Sequence, residues 1–285
     1  MSAMNPHRRV AVVTGAGSGI GAAAAVELAR RGLEVVVVGR SRAKLDRTVA
    51  SVAAAGGREP ASFTADFTDL AEVRKLGADL RAAYPRIDVL ANNAGAVAGR
   101  RTITVDGHEL TMQVNHLAPY LLTHELLGPL RAAGEARVVG TASIAEVWGV
   151  PDPGDLDGRG TRFHSRWVAY GSAKKANILF GLEASRRLRG TGVVATSFHP
   201  GVVRSGFGTG SLWFSLGRLF YATPESGART LVHLATHGDG VEFGGGFFAD
   251  CRLRWSTPSA RDPELARRLW DATAAAVGVS PDWLG

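Results

Sequence analysis

The segment from Val10 to Arg31 restricts the possible folds of this chain strongly. Val10–Thr14 is a β-branched run typical of a buried strand, and it leads into the turn Gly15-Ala16-Gly17-Ser18-Gly19-Ile20-Gly21. An alanine-rich segment typical of a helix follows. Glycines between a strand and a helix let the backbone approach a pyrophosphate, and the free N–H groups of the helix N-terminus bind the anion. This order predicts a dinucleotide-binding α/β fold.

The alternation of strand and helix continues along the chain. Apolar, β-branched runs predict further strands at 33–38, 61–65, 87–91, 137–139, 193–197 and 246–249. Helical patterns and their start and stop signals predict helices at 43–55, 70–83, 106–130, 223–236 and 263–277. Repeated strand and helix units imply a parallel sheet covered on both faces. We therefore expect a single doubly wound Rossmann domain over residues 1–285, with a seven-stranded parallel sheet and helices on both faces.

Charge and cysteine content narrow the class of protein. The net charge of +7 comes from arginines and lysines that are scattered without a run of five like charges, so we expect no nucleic-acid partner. Cys251 is the only cysteine, which excludes an intramolecular disulfide and a thiolate metal cluster, and we predict an inert thiol and no metal site. No apolar stretch approaches ~18 residues. We expect a cytoplasmic protein without stable membrane insertion and without a signal peptide.

The end of the second predicted strand bears on the choice of dinucleotide. In dinucleotide folds an acidic residue near this point receives the ribose hydroxyls, whereas an arginine accommodates a 2′-phosphate. The sequence here is Gly39-Arg40-Ser41-Arg42, with no acidic residue. This favours NADP(H) over NAD(H), with Arg40 on the 2′-phosphate. The alternative, that both arginines are ordinary surface residues, stays open.

A second motif is the pentapeptide from Tyr170 to Lys174, Tyr-Gly-Ser-Ala-Lys. On a helix the phenol and the ammonium lie on one face, because residues four apart are neighbours there. A nearby positive charge lowers the pKa of a phenol, which predicts an acid–base pair able to work near neutrality. Alone, the pair is also compatible with an incidental tyrosine on a half-exposed helix.

Three motifs in this order resemble the short-chain dehydrogenase/reductase family. They are Thr14-Gly15-x-x-x-Gly19-Ile20-Gly21, Asn92-Asn93-Ala94-Gly95 and the Tyr170/Lys174 pair. Segments 106–109, 114–117, 121–123, 170–179, 199–201, 223–228 and 268–270 are similar to the branch that contains retinol dehydrogenases and light-dependent protochlorophyllide reductases. The resemblance to this branch implies a lipophilic small-molecule substrate.

The resemblance also implies roles for individual residues. Tyr170 donates the proton and Lys174 lowers its pKa and holds the nicotinamide ribose. Ser143 hydrogen-bonds the substrate carbonyl, and Asn115 holds a water that connects the lysine to solvent. The implied NADP(H)-binding residues are Gly15, Gly17, Ser18, Gly19, Ile20, Gly21, Arg40, Asp66, Phe67, Asn92, Ala94, Gly95, Tyr170, Lys174, Pro200, Gly201, Val203 and Ser205.

Two segments are candidates for shaping the substrate pocket. Residues 144–169 form a predicted active-site loop, in which Glu146 stands where the resembled branch often has histidine. Residues 204–222 combine glycines with aromatic residues, which is typical of a lid over an apolar ligand. An oligomer contact or a membrane-surface loop remains the alternative for that segment. The family resemblance suggests a homodimer or homotetramer paired through the helices of Asn115 and Tyr170.

These expectations converge on an enzyme of secondary metabolism. We expect an NADP(H)-dependent oxidoreductase that interconverts a carbonyl and an alcohol on an aromatic, polyketide-, steroid- or retinoid-like molecule, in the direction of reduction. Two alternatives stay open. One is another biosynthetic step on the same fold, such as double-bond reduction, dehydration or rearrangement, and the other is an NADP(H)-binding regulator without turnover.

Overall fold

A computed structural model describes residues 8–56, 58–160, 165–201 and 223–284. Within these ranges the strands form one eight-stranded sheet in the order β3-β2-β1-β4-β5-β6-β7-β8. The strands are β1 Val10–Thr14, β2 Glu34–Gly39, β3 Ala61–Thr64, β4 Val89–Asn92, β5 Ala136–Thr141, β6 Val193–His199, β7 Phe247–Ala249 and β8 Arg252–Leu253. All neighbouring pairs are parallel except β7 and β8.

Helices connect these strands. In the described residues they are α1 Gly19–Arg30, α2 Arg42–Gly56, α3 Leu70–Ala83, α4 Leu110–Met112, α5 Ala118–Glu125, α6 Leu127–Ala132, α7 Arg166–Arg187, α8 Pro224–Thr236, α9 Asp239–Glu242 and α10 Pro263–Ala276. A π-helical turn, Gln113–Leu117, joins α4 to α5, and short 3-10 helices span Ile144–Trp148 and Pro258–Arg261. Most bounds agree with the predicted ones within two residues.

Alternate residues of the strands pack on opposite faces of the sheet. Val12 and Val36 lie in the core under α3, α5 and α7, whereas Val13 and Val37 lie in the core under α1, α2 and α8. Strands covered on both faces are expected to be apolar, and β1 and β2 are apolar except for Thr14 and Glu34 at their ends. The predicted doubly wound architecture is confirmed.

The sheet has one more strand than predicted. β8 is only two residues long and follows a turn in which Asp250 and Cys251 adopt positive φ angles of 51° and 57°. Neither residue is glycine, so the sequence carries no strong signal for such a turn. A two-residue strand is also too short to show an alternating pattern.

The predicted long helix over 106–130 is wrong. An antiparallel bridge between Ile103 and Glu109 precedes the helical region, and the Glu109 carboxylate caps α4 by accepting the Met112 N–H at 2.8 Å. The π turn then interrupts the α-helical hydrogen bonding, and Leu126 at φ −96° and ψ 8° separates α5 from α6. Turns of π type occur mostly as single insertions, frequently at functional sites, and this one contains Asn115.

The C-terminal part of the chain covers α5 and α7. Trp270 of α10 stacks on Phe180 of α7 with ring centroids 5.6 Å apart, and Tyr120 of α5 meets Trp270 and Trp283 edge-on at 4.9 Å. In α7, Arg186 is the one exposed side chain, and the described residues of α5 are all buried or half-buried. The C-terminal residues therefore cover much of both helices within a single chain.

Candidate active site

The carboxyl ends of β1 and β4 meet where the order of strands reverses. In open α/β sheets ligands bind in the crevice at this point. The buried Thr14 hydroxyl donates to Ala91 O and accepts the N–H groups of Asn93 and Ala94, each at 3.0 Å. The Thr14 hydroxyl therefore holds the start of the glycine turn against the Asn92–Gly95 segment, so the two sequence motifs together form the base of the crevice.

The glycine turn has room only for glycine at two points. Gly15 has φ +67°, and a Cβ there would lie 2.8 Å from Ala94 Cα. A Cβ on Gly21 would lie 2.5 Å from Gly15 O. Ser18 is the exposed N-cap of α1, its side chain makes no capping bond, and the first turn of α1 holds no acidic residue. Gly17, Gly19 and Ile20 complete a turn whose N–H groups suit a phosphate.

Basic side chains surround the end of β2. Arg40 is 76% exposed and lies 3.9 Å from the Asp66 carboxylate, whereas Arg42 is paired with Asp46 at 2.8 Å. Lys44, which the sequence analysis did not select, lies against the glycine turn, because a Cβ on Gly17 would meet Lys44 Cβ at 3.1 Å. Exposed ion pairs of this kind are weak, so Arg40 is available to a phosphate.

Other predicted cofactor-binding residues lie along the same edge of the sheet. Asn92 donates to the Thr123 hydroxyl at 2.9 Å, while its buried Oδ1 has no hydrogen-bond partner in the described residues, which is unusual for a buried polar atom. Asp66 and Phe67 follow β3, Ala94 and Gly95 follow β4, and Pro200 and Gly201 follow β6. Val203, Ser205 and the predicted lid over 204–222 lie outside the described residues.

The catalytic candidates meet beyond the end of β5. Ser143 caps the 3-10 helix Ile144–Trp148 by accepting the Ala145 N–H at 3.2 Å, and it also hydrogen-bonds Tyr170. The buried Lys174 Nζ donates to Thr141 O at 2.8 Å and lies 5.4 Å from the centroid of the Tyr170 ring. Ser143, Tyr170 and Lys174 therefore form one cluster.

Two glycines that the sequence analysis did not select set the separation within this cluster. A Cβ on Gly171 would lie 2.4 Å from Ala145 O, and a Cβ on Gly149 would lie 2.3 Å from Gly171 O. The 3-10 helix that starts after Ser143 and the helix that carries Tyr170 thus touch through their backbones. The two segments are distant in sequence, so no local pattern reveals this contact.

Burial governs the pKa values of the Tyr170/Lys174 pair. It raises the pKa of Tyr170 to about 12, and the hydrogen bond with Ser143 acts in the opposite direction. Burial also lowers the pKa of Lys174 to about 7, so much of its positive charge is lost at neutral pH. The predicted lowering of the Tyr170 pKa is wrong for the protein alone. At neutral pH the phenol carries its proton.

Asn115 lies in the π turn, which packs against α7. Its amide nitrogen donates to Ala96 O at 2.6 Å and to Thr111 O at 2.7 Å. Its buried Oδ1 has no partner in the described residues. The position fits a residue that holds a water, because an ordered water is the usual partner of such an oxygen.

A hydrogen-bond chain that sequence reasoning missed links α10 to Lys174. His116 lies 3.0 Å from the Thr273 hydroxyl through Nε2 and 3.2 Å from Asn177 Oδ1 through Nδ1. Asn177 then donates to Thr141 O at 3.1 Å, the same oxygen that Lys174 binds. Burial lowers the pKa of His116 to about 4, so the imidazole is neutral.

Glu146 lies in the interior and not at the mouth of the site. Its carboxylate accepts the N–H and hydroxyl of Thr257 at 2.9 and 2.6 Å and lies 3.8 Å from the buried Lys175 Nζ. Lys175 is thus a buried, ion-paired lysine next to Lys174 in the chain. The exposed residues near Ser143 are apolar: Ile144, Val147, Trp148 and Val150.

Comparison with known proteins establishes the family. The family model described as short chain dehydrogenase matches residues 9–154. A Streptomyces sp. (strain C5) protein, provisionally named daunorubicin C-13 ketoreductase DnrU, is 44% identical over 272 residues, which cover 95% of this chain and 93% of the relative. The chain belongs to the short-chain dehydrogenase family.

Other short-chain dehydrogenase relatives agree. Human retinol dehydrogenase 11 is 36% identical over 281 residues, covering 96% of this chain and 87% of the relative. The crystal structure of an uncharacterised protein from Mycobacterium paratuberculosis superposes with a TM-score of 0.79 at 31% identity, covering 95% of this chain and 94% of that one. The predicted family and its retinol dehydrogenase-like branch are confirmed.

Membership of the short-chain dehydrogenases makes the chain an oxidoreductase of carbonyl and alcohol groups that uses a nicotinamide cofactor. Two features fit such a cofactor. The glycine turn has no room for side chains at Gly15 and Gly21, and the buried Asn92 Oδ1 has no hydrogen-bond partner in the described residues. Among the described residues no helix has both the length and the apolar character needed to cross a bilayer.

Proposed function

We propose that the protein is an NADP(H)-dependent reductase that converts a carbonyl group of a lipophilic small molecule to an alcohol. The observation that carries this proposal is the convergence of Ser143, Tyr170 and Lys174 beyond the end of β5. A bound nicotinamide cofactor supplies the hydride. The protein supplies the proton and the orientation of the carbonyl.

Each residue of the cluster has a role in this proposal. Ser143 hydrogen-bonds the carbonyl oxygen, and Tyr170, which is protonated at neutral pH because its pKa is about 12, donates the proton to the nascent alkoxide. Lys174 holds the nicotinamide ribose with the N–H groups that Thr141 O leaves free. Asn115 Oδ1 holds a water that returns a proton from solvent towards Lys174.

The preference for NADP(H) rests on charge at the end of β2. Arg40 and Lys44 place two cations beside the glycine turn, and no acidic side chain follows Gly39 directly to receive a ribose 2′-hydroxyl. The Asp66 carboxylate, which follows β3, lies 3.9 Å from the Arg40 guanidinium. These two cations suit the negatively charged 2′-phosphate of NADP(H) better than the free 2′-hydroxyl of NAD(H).

The lipophilic substrate is supported by two observations. Ile144, Trp148 and Val150 are each more than half exposed directly after Ser143, which is costly unless an apolar partner covers them. The relatives named above act, by their names, on a ketone of daunorubicin and on retinol. A regulator without turnover makes no use of Ser143, Tyr170, Lys174 and Asn115 together, whereas another biosynthetic reaction on the same fold would be a different use of the same site.

The test is a screen of NADPH oxidation, followed by absorbance, against lipophilic ketones, aldehydes, quinones and polycyclic aromatic ketones. Tyr170→Phe is the matched variant, because it removes the proton donor and keeps the ring. We expect consumption in the wild type and a loss of about 100-fold or more in the variant, with NADPH binding retained. NADPH consumption that persists in Tyr170→Phe would show that Tyr170 is not the proton donor. Tight NADPH binding with no consumption across the panel would favour the regulator.

A further inference from the structure

A cluster of three metal-ligating side chains lies where α8 meets α9, outside the active site. His233 Nε2 lies 2.9 Å from Asp239 Oδ2, and His237 Nδ1 lies 2.9 Å from Asp239 Oδ1. The two imidazole rings are stacked with their centroids 4.5 Å apart. One carboxylate thus faces two histidine nitrogens, one on each of its oxygens.

The separations suit a shared ion. Zinc binds histidine nitrogen at roughly 2.0–2.1 Å and carboxylate oxygen at roughly 2.0–2.2 Å, which puts neighbouring ligand atoms about 3.4 Å apart in a tetrahedral site. Both observed N–O contacts, at 2.9 Å, are somewhat shorter, and the three ligand atoms lie within 4.8 Å of one another. No other group in the described residues hydrogen-bonds the His233 ring, whereas His237 Nδ1 also accepts the Asp239 N–H at 3.4 Å, a contact that an ion would replace.

We propose that His233, His237 and Asp239 form a binding site for a divalent transition-metal ion of the zinc, nickel and copper class. Two imidazoles and one carboxylate favour such ions over magnesium or calcium, which prefer oxygen ligands. The site lies at the C-terminus of α8, where the helix dipole favours a cation. His237 is 61% exposed, which leaves a path for the ion and positions for water ligands.

The backbone around the cluster is held in place. The His237 carbonyl accepts Arg137 Nη1 at 2.7 Å, and the His237 N–H donates to His233 O at 2.7 Å. Gly240 N–H also donates to His237 O, at 3.2 Å. Side chains on a fixed backbone lose less entropy on binding an ion than side chains on an unsupported loop. The guanidinium of Arg137 is directed at carbonyl oxygens and so does not compete for the imidazole nitrogens.

The site is separate from the chemistry of the proposed function. Arg137 belongs to the start of β5, whereas Ser143 follows its end, and a strand of this length spans about 20 Å. The ion therefore ties α8 to α9 without touching the reacting groups. An ion that binds only the folded chain stabilises it by mass action. The sequence analysis predicted no metal site because it considered cysteine clusters, and this cluster uses none.

The test is isothermal titration calorimetry, in which Zn²⁺ is added to protein that has been treated with a chelator. A second readout is the electron paramagnetic resonance spectrum of the protein loaded with Cu²⁺. We expect one ion per chain, a raised melting temperature and hyperfine splitting from two nitrogens. His237→Gln should weaken Zn²⁺ binding by about tenfold or more, because one of three donors is lost. Cys251→Ser is the matched control and should bind as the wild type does.

Three results would overturn the proposal. They are the absence of saturable Zn²⁺ binding in the wild type, equal affinity in His237→Gln, and a Cu²⁺ signal unchanged by His233→Gln. In each of these cases the two N–O contacts are explained by imidazole N–H groups donating to the carboxylate. Because the readouts are binding and spectroscopy, the outcome does not depend on the proposed reductase activity.

Discussion

Arg40 and Arg42 show why the neighbours of a residue decide its role. Both arginines follow β2, but Arg42 is engaged by Asp46 one helical turn further on, whereas Arg40 has only a 3.9 Å contact with Asp66. Lys44 joins Arg40 from the adjoining helix because its stem packs on Gly17. The sequence favoured Arg40 from its position, and the packing of Lys44 on the glycine turn depends on the tertiary structure.

Arg40→Ala should weaken NADPH binding by about tenfold or more and leave NADH binding nearly unchanged, because only NADPH carries the 2′-phosphate that a guanidinium binds in a charge-assisted manner. Fluorescence titration with both cofactors measures this. Arg30→Ala on α1, also an exposed arginine in an ion pair, is the control and should affect neither cofactor. Equal losses for NADPH and NADH would exclude a 2′-phosphate role for Arg40.

The lowered pKa of His116 predicts that the protein loses stability in mild acid. Its pKa is lowered from an ordinary 6.5 to about 4, so the unfolded chain takes up a proton between these values while the folded chain does not. The free energy of unfolding should therefore fall as the pH drops from about 6.5 to about 4, by up to about 3 kcal/mol for this group. Urea unfolding at pH 7 and pH 4.5 measures it, and His116→Gln should reduce the pH dependence. An unchanged slope would mean that other groups carry the acid sensitivity.

The individual residues that could be predicted are those with a chemical signature. Tyr170 and Lys174 stand in a recognisable pentapeptide, and Gly15 stands in a recognisable turn. His116 and Asn177 carry no such signature, because their importance comes from the hydrogen bonds that converge on Thr141 O. The pKa of Tyr170 was mispredicted because burial of both partners outweighs the charge of Lys174.

The 3-10 helix after Ser143 and α7 form a unit whose spacing is set by backbone atoms. Glycine at 171 allows Ala145 O to approach, and glycine at 149 allows Gly171 O to approach. Side chains that relax by rotation are not involved in these contacts. The distance between Ser143 and Tyr170 is therefore sensitive to one methyl group at either glycine.

Gly171→Ala should lower kcat by about 100-fold, because a displacement of about 1 Å at a catalytic group has effects of that size. The added Cβ would lie 2.4 Å from Ala145 O and force the two elements apart. Gly181→Ala is the matched control on the same helix, since its Cβ would meet nothing closer than 3.7 Å. It should keep kcat and gain up to about 1 kcal/mol of stability from helix propensity. Equal kcat in both variants would contradict this account of the spacing.

Elements with a regular period were predictable, and elements with a local irregularity were not. Helix α3 begins and ends at the predicted residues because Asp69 caps it and its apolar residues recur at helical spacing. The π turn at 113–117 has no signature in the sequence, since its residues would also fit an α-helix. Its position beside α7 follows from tertiary packing, which includes the contact of His116 with Asn177.

In the whole molecule, the C-terminal part of the chain covers α5 and α7, the helices through which two copies of the chain were expected to pair. Trp270 and Trp283 pack on α5 and α7, and Arg186 is the one exposed side chain of α7. A second copy would have to displace this aromatic cluster, and buried aromatic pairs stabilise by about 0.5–1.5 kcal/mol each beyond their burial. The doubly wound architecture was predictable from the order of strands and helices, whereas this covering was not, because it joins α5, α7 and the C-terminus.

Sedimentation equilibrium should show that chains do not associate through α5 and α7. Arg186→Glu reverses the one exposed charge on α7 and should leave the measured molecular mass unchanged. A wild-type dimer that Arg186→Glu dissociates would contradict the prediction. An association that survives the substitution would place the contact on another surface.

The backbone contact between Gly149 and Gly171 has a consequence for how this protein can change over time. The groups that carry out the proposed chemistry are spaced by main-chain atoms, while the neighbouring side chains of Ile144, Val147, Trp148 and Val150 are each at least half exposed. Mutations at these four positions can alter which compound is accepted and leave the reacting groups where they are. A duplicated copy of the gene could therefore acquire a new substrate through a few tolerated substitutions.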